Sequence, residues 1–338
     1  MMQRKKVGVV LFQLGGPDRL DAVRPFLYNL FCDPDIINFP LAWIARRPLA
    51  WLIAATRGKH VREHYAAIGG GSPIRELTEG QSLALADALE PYVDPNVVIA
   101  MRYWHPSTTE AIRRLTRTPL DELVLLPLYP QYSRATTGSS LAEWNRRWRH
   151  PASALPTHVI ERFYDHPLYL SALVERIEQS LAGFHRPADV HLVFSAHGLP
   201  VSLIEAGDPY QKEIEETVRL LLQQGGWTNP STLCYQSRLG RQKWLEPYLT
   251  DTIERLADEG VRQMLVVPIS FVTEHIETLY EISLEARAIA VGRGIEEFAV
   301  MRALDSSPRF IAALADLVLQ AVHPEASLHA AADSKSAS

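Results

Sequence analysis

Short apolar runs alternate along most of the 338-residue chain with stretches whose apolar positions recur every three or four residues. Runs such as "VVLF", "LVLLPL", "HLVF" and "MLVVPI" are bounded by turn residues and suit strands buried on both faces. The wider spacing suits amphipathic helices. The pattern predicts strands at residues 7–14, 97–102, 123–128, 158–163, 191–196, 232–236, 264–269 and 298–302. Helices are predicted at 21–31, 78–89, 109–115, 167–181, 210–222 and 245–257. Strand and helix in regular alternation signal an α/β fold with parallel sheets. The Ala- and Ser-rich segment 323–338 is expected to be a disordered tail.

The pattern also repeats. "VLFQLGGP" (10–17) aligns without gaps to "VFSAHGLP" (193–200), and "LVLLPLY" (123–129) to "MLVVPIS" (264–270). Two similarities in the same order predict two lobes of similar build. Residues 1–155 form the first and 156–322 the second, divided near 151–156. Open parallel sheets bind ligands beyond the carboxyl ends of their strands, so two facing lobes would share one cleft. Residues 14–17, 102–105, 129–140, 197–200, 236–241 and 270–277 are then the ones that meet a ligand.

Composition narrows the class. With 47% hydrophobic and 22% charged residues the chain reads as globular. A net charge of −5 and the lack of any basic run argue against a nucleic-acid partner. Two cysteines, Cys32 and Cys234, are too few for a Cys-ligated iron–sulfur cluster or a disulfide scaffold. The start "MMQRKKVGVVLFQLGG" imitates a signal peptide, but its apolar part is short and runs into a strand-and-turn pattern. A cytoplasmic location is expected.

The candidate chemistry sits at the strand ends. In "FSAHGLP", His197 closes a buried strand and precedes a Gly/Pro turn, so its imidazole is expected at the sheet edge, as a metal ligand or proton acceptor. In "EHIETLYEISLEA", Glu277 follows His275 by two residues, and Glu277, Glu281 and Glu285 are spaced i, i+4, i+8. On a helix such like charges repel, a cost with no folding benefit. Crowded carboxylates do raise one another's pKa values and can relay protons or attract cations. Histidine with carboxylate suits a borderline divalent metal such as ferrous iron.

Three other stretches stand out. "LYPQYSRATTGSS" concentrates tyrosines and hydroxyls at an expected helix start, which suits an anion. "RGKHVREHYAAIGGGSPI" lacks the phosphate-loop pattern. A cationic loop clasping a small acid and a solvated linker fit it equally. "IINFPLAWIARRPLAWLIAATRG" carries two tryptophans, interrupted by Arg46, Arg47 and Pro48. A lip over a flat apolar ligand, a membrane-surface contact through 36–56, and core packing are all open for it.

The motifs "LGGPD", "GGGSPI", "MRYWHPST", "LYPQYSRATTGSS", "FSAHGLP" and "PISFVTEHIETLYEI", in this order, resemble those of the ferrochelatases, over about residues 7–322. The resemblance is to a bacterial member without an iron–sulfur cluster. It implies two similar Rossmann-like lobes with a porphyrin cleft between them, the lip lying at about 36–72. It implies insertion of Fe2+ into protoporphyrin IX, with iron as substrate and no permanently bound cofactor. His197 and Glu277 take the catalytic and metal-facing roles; Glu281, Glu285 and His275 belong to a proton or metal path. Porphyrin contacts fall on Arg57, Tyr65, Ser72, Arg102, Tyr103, Tyr129, Ser133 and Leu14. Leu14, where relatives often carry Tyr or Met, cannot ligate iron and favours protoporphyrin over coproporphyrin. Glu274 and Ser283 stand where aspartates are common. A monomer is expected, cytoplasmic or peripheral at the inner membrane surface. The rival readings are a chelatase for cobalt or nickel and a non-catalytic porphyrin carrier.

Overall fold

The structure, a computed structural model, describes residues 4–34, 42–148, 155–238 and 242–323, with only the backbone of 42–44. The chain divides into two compact units. One comprises Met1–Tyr129, Arg134–Phe163 and Asp305–Ser338; the other comprises Pro130–Ser133 and Tyr164–Leu304.

The first unit holds a parallel sheet of β1 (Lys6–Gln13), β2 (Asp94–Met101), β3 (Glu122–Pro127) and β4 (Thr157–Val159), in the order β2-β1-β3-β4. From Val7 onward β1 is buried at every position, the burial that an uninterrupted apolar run requires. Around it lie α1 (Val23–Phe31), α2 (Ala42–Ala67), α3 (Ile74–Leu89), α4 (Thr108–Leu115), α5 (Ser139–Arg147) and a C-terminal helix, Pro308–Val322. Val10, Phe12, Leu115, Leu123 and Trp144 are among the residues of one core cluster, where Trp144 meets Phe12 edge-on at 5.6 Å and stacks on Trp148 at 5.1 Å.

The second unit repeats the plan. Strands β5 (His191–His197), β6 (Ser231–Gln236), β7 (Gln263–Pro268) and β8 (Glu297–Val300) form a parallel sheet ordered β6-β5-β7-β8. The strands paired by the sequence repeat, β1 with β5 and β3 with β7, hold equivalent places in the two sheets. Its helices are α6 (Pro167–Leu181), α7 (Val201–Glu205), α8 (Tyr210–Gly225) and α9 (Leu249–Asp258), then a π-helix, Glu277–Ala286, running into α10 (Arg287–Gly292). Val193, Ile253, Met264, Val266, Ile282 and Phe298 pack between sheet and helices.

Several expectations change. The division expected at 155/156 is displaced, because β4 pairs with β3 and the C-terminal helix belongs to the first unit, where Phe310 meets Phe163 at 6.4 Å. The strand expected at 158–163 ends at Val159; Ile160 makes one further bond, its N–H to the Leu125 carbonyl. Residues 42–67, which join most of the broken apolar stretch to the start of the one read as a cationic loop or linker, are one helix containing Pro48. The helix expected from 245 begins at Leu249. Leu245 N–H bonds instead to the Leu199 carbonyl, and the Pro247 carbonyl accepts from Tyr235 N–H. The expected tail after His323, residues 36–41 of the lip and residues 151–154 of the junction lie outside the described residues.

Helix α4 begins with a reciprocal cap. Ser107 Oγ accepts from Glu110 N–H, while the Glu110 carboxylate accepts from Ser107 N–H at 2.6 Å and faces His105 Nδ1 at 2.8 Å. The His105 contact, ahead of the Ser107 bonds, brings the Glu110 carboxyl down to about 2. Ser107→Ala is expected to cost about 1 kcal/mol of stability, read as a lower urea midpoint at unchanged slope.

Candidate active site

The carboxyl ends of β5 and β6 lie side by side, with His197 in register with Gln236. The turn after His197 fixes where its ring goes. Gly198 N–H bonds to the Gln236 carbonyl, and a Cβ on Gly198 would sit 2.8 Å from that oxygen, closer than a side chain tolerates. Glycine is thus required for the chain to leave the sheet here. The His197 N–H donates to Ser270 Oγ at 3.0 Å, and its carbonyl accepts from the Tyr210 hydroxyl at 2.9 Å.

So held, the imidazole meets Glu277, the first residue of the π-helix. His197 Nδ1 lies 2.7 Å from Glu277 Oε2, with side chains 34% and 14% exposed. The same carboxylate oxygen accepts from Gln236 Nε2 at 3.2 Å and from Ser237 Oγ at 3.1 Å. Gln236 is oriented in turn by Ser195, whose hydroxyl donates to its Oε1 at 2.9 Å. Ser237 reaches both carboxylates from a left-handed backbone (φ 64°) and also lies 2.5 Å from Glu281 Oε2. With Nδ1 engaged, the remaining His197 nitrogen, Nε2, is the one that can meet a ligand or a proton.

The acids form a gradient. Burial opposes ionisation of Glu277, but the charge and hydrogen bond of His197 outweigh it and bring the carboxyl down to about 2. Burial likewise works against the His197 imidazolium, and Glu277 overcomes it, so the pKa of the ring is raised. Burial, then the Glu277 charge, push Glu281 up to about 7, against the Ser237 hydrogen bond. Glu285 is exposed. The row thus runs from an ionised, buried acid through one that titrates near neutrality to one in water.

The α-type spacing inferred from sequence is realised on a wider helix. Ser283 Oγ donates to the Thr278 carbonyl five residues back, and i→i+5 bonding gives a turn that is rare and concentrated at functional sites. Ser237 bridges Glu277 and Glu281, so those two share a side of it. His275 is buried beside them, its Nε2 3.9 Å from Glu277 Oε1, its Nδ1 facing the Thr273 carbonyl, and its ring 4.2 Å from Phe271. Burial lowers its pKa, which favours the neutral ring. Glu274 bonds to Thr278 Oγ1 and accepts from Ala303 N–H, a structural role on this same segment. Among the described residues no group of three or more His, Cys, Asp or Glu is placed to hold a metal ion. His197 and Glu277 offer two donors.

The remaining candidates are placed differently. Arg57 is exposed on α2, Tyr65 is buried near that helix's end, and Ser72 N–H is tied to the Pro17 carbonyl at 2.7 Å. Leu14 follows β1 half-buried, its carbonyl accepting from Tyr103 N–H. Arg102 and Tyr103 both bond to Asp33, at 2.7 and 2.5 Å, in a buried cluster that includes Ser139. Tyr129 is half-buried, and burial pushes its phenol upward. Ser133 is fully buried and donates to Asp208 at 3.0 Å, in a loop fixed to α8 by Glu213 and Thr217. The structure therefore gathers His197, Glu277, Glu281 and His275 in the second unit and leaves Leu14, Arg57, Tyr65, Ser72, Arg102, Tyr103 and Tyr129 in the first.

Sequence reasoning does not reach the roles of Ser195, Gln236, Ser237, Tyr210 and Asp33. For Gln236 and Ser237 the place at a strand end is the available signal; for Tyr210 and Asp33 there is none.

A family description reading "Ferrochelatase" matches residues 6–322. The chain is 49% identical over 317 residues to a ferrochelatase of Picosynechococcus sp. strain PCC 7002, covering 93% of this chain and 82% of that protein. It is 50% identical over 323 residues to the ferrochelatase of Nostoc sp. strain PCC 7120, covering 94% and 83%. Among solved structures, SirB from Bacillus subtilis with Fe3+ superposes with a TM-score of 0.58 at 12% identity, covering 94% of this chain and 96% of that one. The sirohydrochlorin chelatase SirB from Bacillus subtilis subspecies spizizenii in complex with cobalt gives 0.52 at 10%, covering 95% and 97%. At these identities the likeness is one of fold, a chelatase architecture of two parallel sheets.

The mutual support of the ion pair is measurable. Glu277→Gln removes the charge and hydrogen bond that do most to raise the His197 pKa, and leaves the burial that lowers it with only Glu281 in opposition. The ring is therefore expected to titrate at lower pH than in the wild type, followed by NMR of its Cε1 proton. An unchanged or higher midpoint would mean that the two groups do not interact.

Proposed function

Because the chain belongs to the ferrochelatase family, we propose that it inserts Fe2+ into protoporphyrin IX to give protohaem, with His197 and Glu277 carrying the chemistry. The reaction breaks two pyrrole N–H bonds, forms bonds from four nitrogens to iron, and releases two protons. A base must therefore act at the ring centre, and each proton must leave a site that a cation is entering.

The observation that supports this reading best is the 2.7 Å contact between His197 Nδ1 and Glu277. A carboxylate on Nδ1 fixes the tautomer, leaves Nε2 as acceptor, and stabilises the imidazolium once a pyrrole proton arrives. Glu277 is ionised at rest, a hard anionic donor facing the incoming Fe2+. The proton leaves His197 Nδ1 for Glu277, which passes it through the Ser237 hydroxyl to Glu281 and on to exposed Glu285, and so regains its charge. His275, neutral beside Glu277, completes the anionic corner without adding a positive charge that would oppose iron. Arg57, Tyr65, Ser72, Arg102, Tyr103, Tyr129, Ser133 and Leu14 are assigned to the macrocycle by family resemblance.

The finer readings belong to the same proposal. The enzyme is a monomer, cytoplasmic or peripheral at the inner membrane surface, with no permanently bound cofactor or iron–sulfur cluster. On α2, Trp51 and Leu52 are 56% and 52% exposed and suited to a membrane surface. Among the described residues no helix is long and apolar enough to cross a membrane.

The test is anaerobic incubation with Fe2+ and protoporphyrin IX, followed by the absorbance change of metallation, with coproporphyrin III in parallel. Insertion is expected with protoporphyrin and much slower insertion with coproporphyrin; the reverse preference would overturn the substrate assignment. His197→Ala and Glu277→Ala are each expected to lower turnover at least a hundredfold, in the range for loss of a general acid–base group. Porphyrin affinity, read by quenching of intrinsic fluorescence, should change little. Near-normal turnover in either variant would remove that residue from the chemistry.

The pH dependence has a definite sign. Glu281 is protonated below about 7 and ionised above it, and only the ionised form can take a proton. Turnover is expected to rise as pH passes through about 7. In Glu281→Gln its contribution disappears, so the limb should shift to the one set by His197 and reach a lower plateau. A wild-type-like profile in the variant would exclude Glu281 from the proton path.

A further inference from the structure

Within "LYPQYSRATTGSS" the proposed function assigns Tyr129 and Ser133 and gives no account of the buried Gln131 between them. Pro130–Ser133 is a short strap that belongs to the second unit, although the residues before and after it belong to the first. Its last three residues are each tied to α8 or to the turn that starts it. Gln131 Nε2 donates to Thr217 Oγ1 at 3.1 Å, Tyr132 N–H to Glu213 Oε2 at 2.7 Å, and Ser133 Oγ to Asp208 Oδ2 at 3.0 Å. All three acceptors are buried. Two buried carboxylates devoted to neutral donors exceed what a plain connection needs, because carboxylates are among the costliest groups to take out of water.

The strap leads to the main chain of His197 from both sides. On one side, Gln131 Nε2 also donates to the Ile269 carbonyl at 3.3 Å, and the next residue, Ser270, takes the His197 N–H on its hydroxyl. On the other, Asp208 uses its second oxygen to accept Tyr210 N–H at 3.1 Å, and the Tyr210 hydroxyl donates to the His197 carbonyl. The orientation of the Gln131 amide is determined by its partners. Thr217 Oγ1 gives its own proton to the Glu213 carbonyl at 2.7 Å, and the Ile269 oxygen can only accept, so both face a donor. The bonds close into a circuit that begins and ends on the strap. Buried, satisfied networks of this kind fix geometry more firmly than their members do singly.

We propose that Gln131 and Asp208 are positioning residues for His197: the strap they fasten sets the two main-chain anchors of the imidazole and thereby directs Nδ1 at Glu277. They act through the backbone of His197 rather than on the reacting atoms. The effect on turnover rests on the reading of His197 as the base; the effect on the ring itself does not.

The test reads the tautomer of His197 in the full chain from the nitrogen chemical shifts of its ring, at alkaline pH where the ring is neutral, beside the single-turnover insertion rate. The wild type is expected to carry the proton on Nδ1, toward Glu277. Gln131→Met, which keeps the length of the side chain and removes both donors, and Asp208→Ala should each give a mixture of tautomers. Each should also lower the rate about tenfold, as expected of a small misplacement of the base. Asp208→Asn should restore both readouts, since its oxygen still accepts from Tyr210 N–H and its amide can donate to Ser133 Oγ. Asn229→Ala cuts ties to the Pro187 and Val190 carbonyls, ahead of the strands of the same sheet, and should leave the tautomer as it was.

An unchanged tautomer in either Gln131→Met or Asp208→Ala would overturn the proposal, whatever their thermal midpoints. So would an equal mixture in Asn229→Ala, which would mark general loosening, or a wild-type ring protonated on Nε2. If Asp208→Asn behaves as Asp208→Ala does, Asp208 acts by its charge and its positioning role falls. A shifted tautomer with an unchanged rate would uphold the positioning and remove His197 from the chemistry instead.

Discussion

An imidazole drawn largely out of water takes up a proton, and a carboxylate beside it keeps its charge, only if each stabilises the other. Removing two ions from solvent costs several kcal/mol apiece, and the mutual attraction offsets this only when geometry and further hydrogen bonds are favourable. The contact of His197 with Glu277 meets that condition through Gln236 and Ser237 on the acid, and Ser270 and Tyr210 on the backbone of the base. These supports come from the ends of β5 and β6, the loop after β7 and the start of α8. A parallel sheet that brings those ends to one edge is thus the structural requirement of the site. The packed interior of the second unit, from Val193 to Phe298, serves to hold that edge.

The pair also makes the row of glutamates on the π-helix tolerable. A row of glutamates four apart destabilises an ordinary helix when all are ionised. Here the first is ionised by His197, the second is raised to about 7, and the third faces water, so the row does not carry three full charges at close quarters. The cost of the wider turn is offset by side-chain bonds such as Ser283 to Thr278 and Ser237 to both acids. In the proposed reaction this graded row is what lets protons leave while iron enters.

Much of this is legible in the residues. Buried parallel strands announce themselves as continuous apolar runs, and the repeat of "VLFQLGGP" in "VFSAHGLP" locates the equivalent strands β1 and β5. His197 is visible because a polar residue closing such a run must face the sheet edge. The rest depends on tertiary context. Nothing in "ETLYEISLEA" distinguishes i→i+4 from i→i+5 bonding. The left-handed backbone of Ser237 cannot be read from a serine. Helix α2 is obscured because Arg46, Arg47 and Pro48 break its apolar periodicity, and an interior proline normally argues against a helix that here continues past it. Residues 158–163 look like a strand because burial of Phe163 against Phe310 has the same signature as burial in a sheet.

The central claim is that His197 and Glu277 act as one unit at the moment of metal insertion. A double-mutant cycle on the single-turnover insertion rate, using His197→Ala, Glu277→Ala and the double variant, measures their coupling directly. The account predicts that the double variant is no slower than the slower single variant, because either change already dismantles the pair. Losses that multiply, with the double variant slower by the product of the two single effects, would mean independent roles and contradict it.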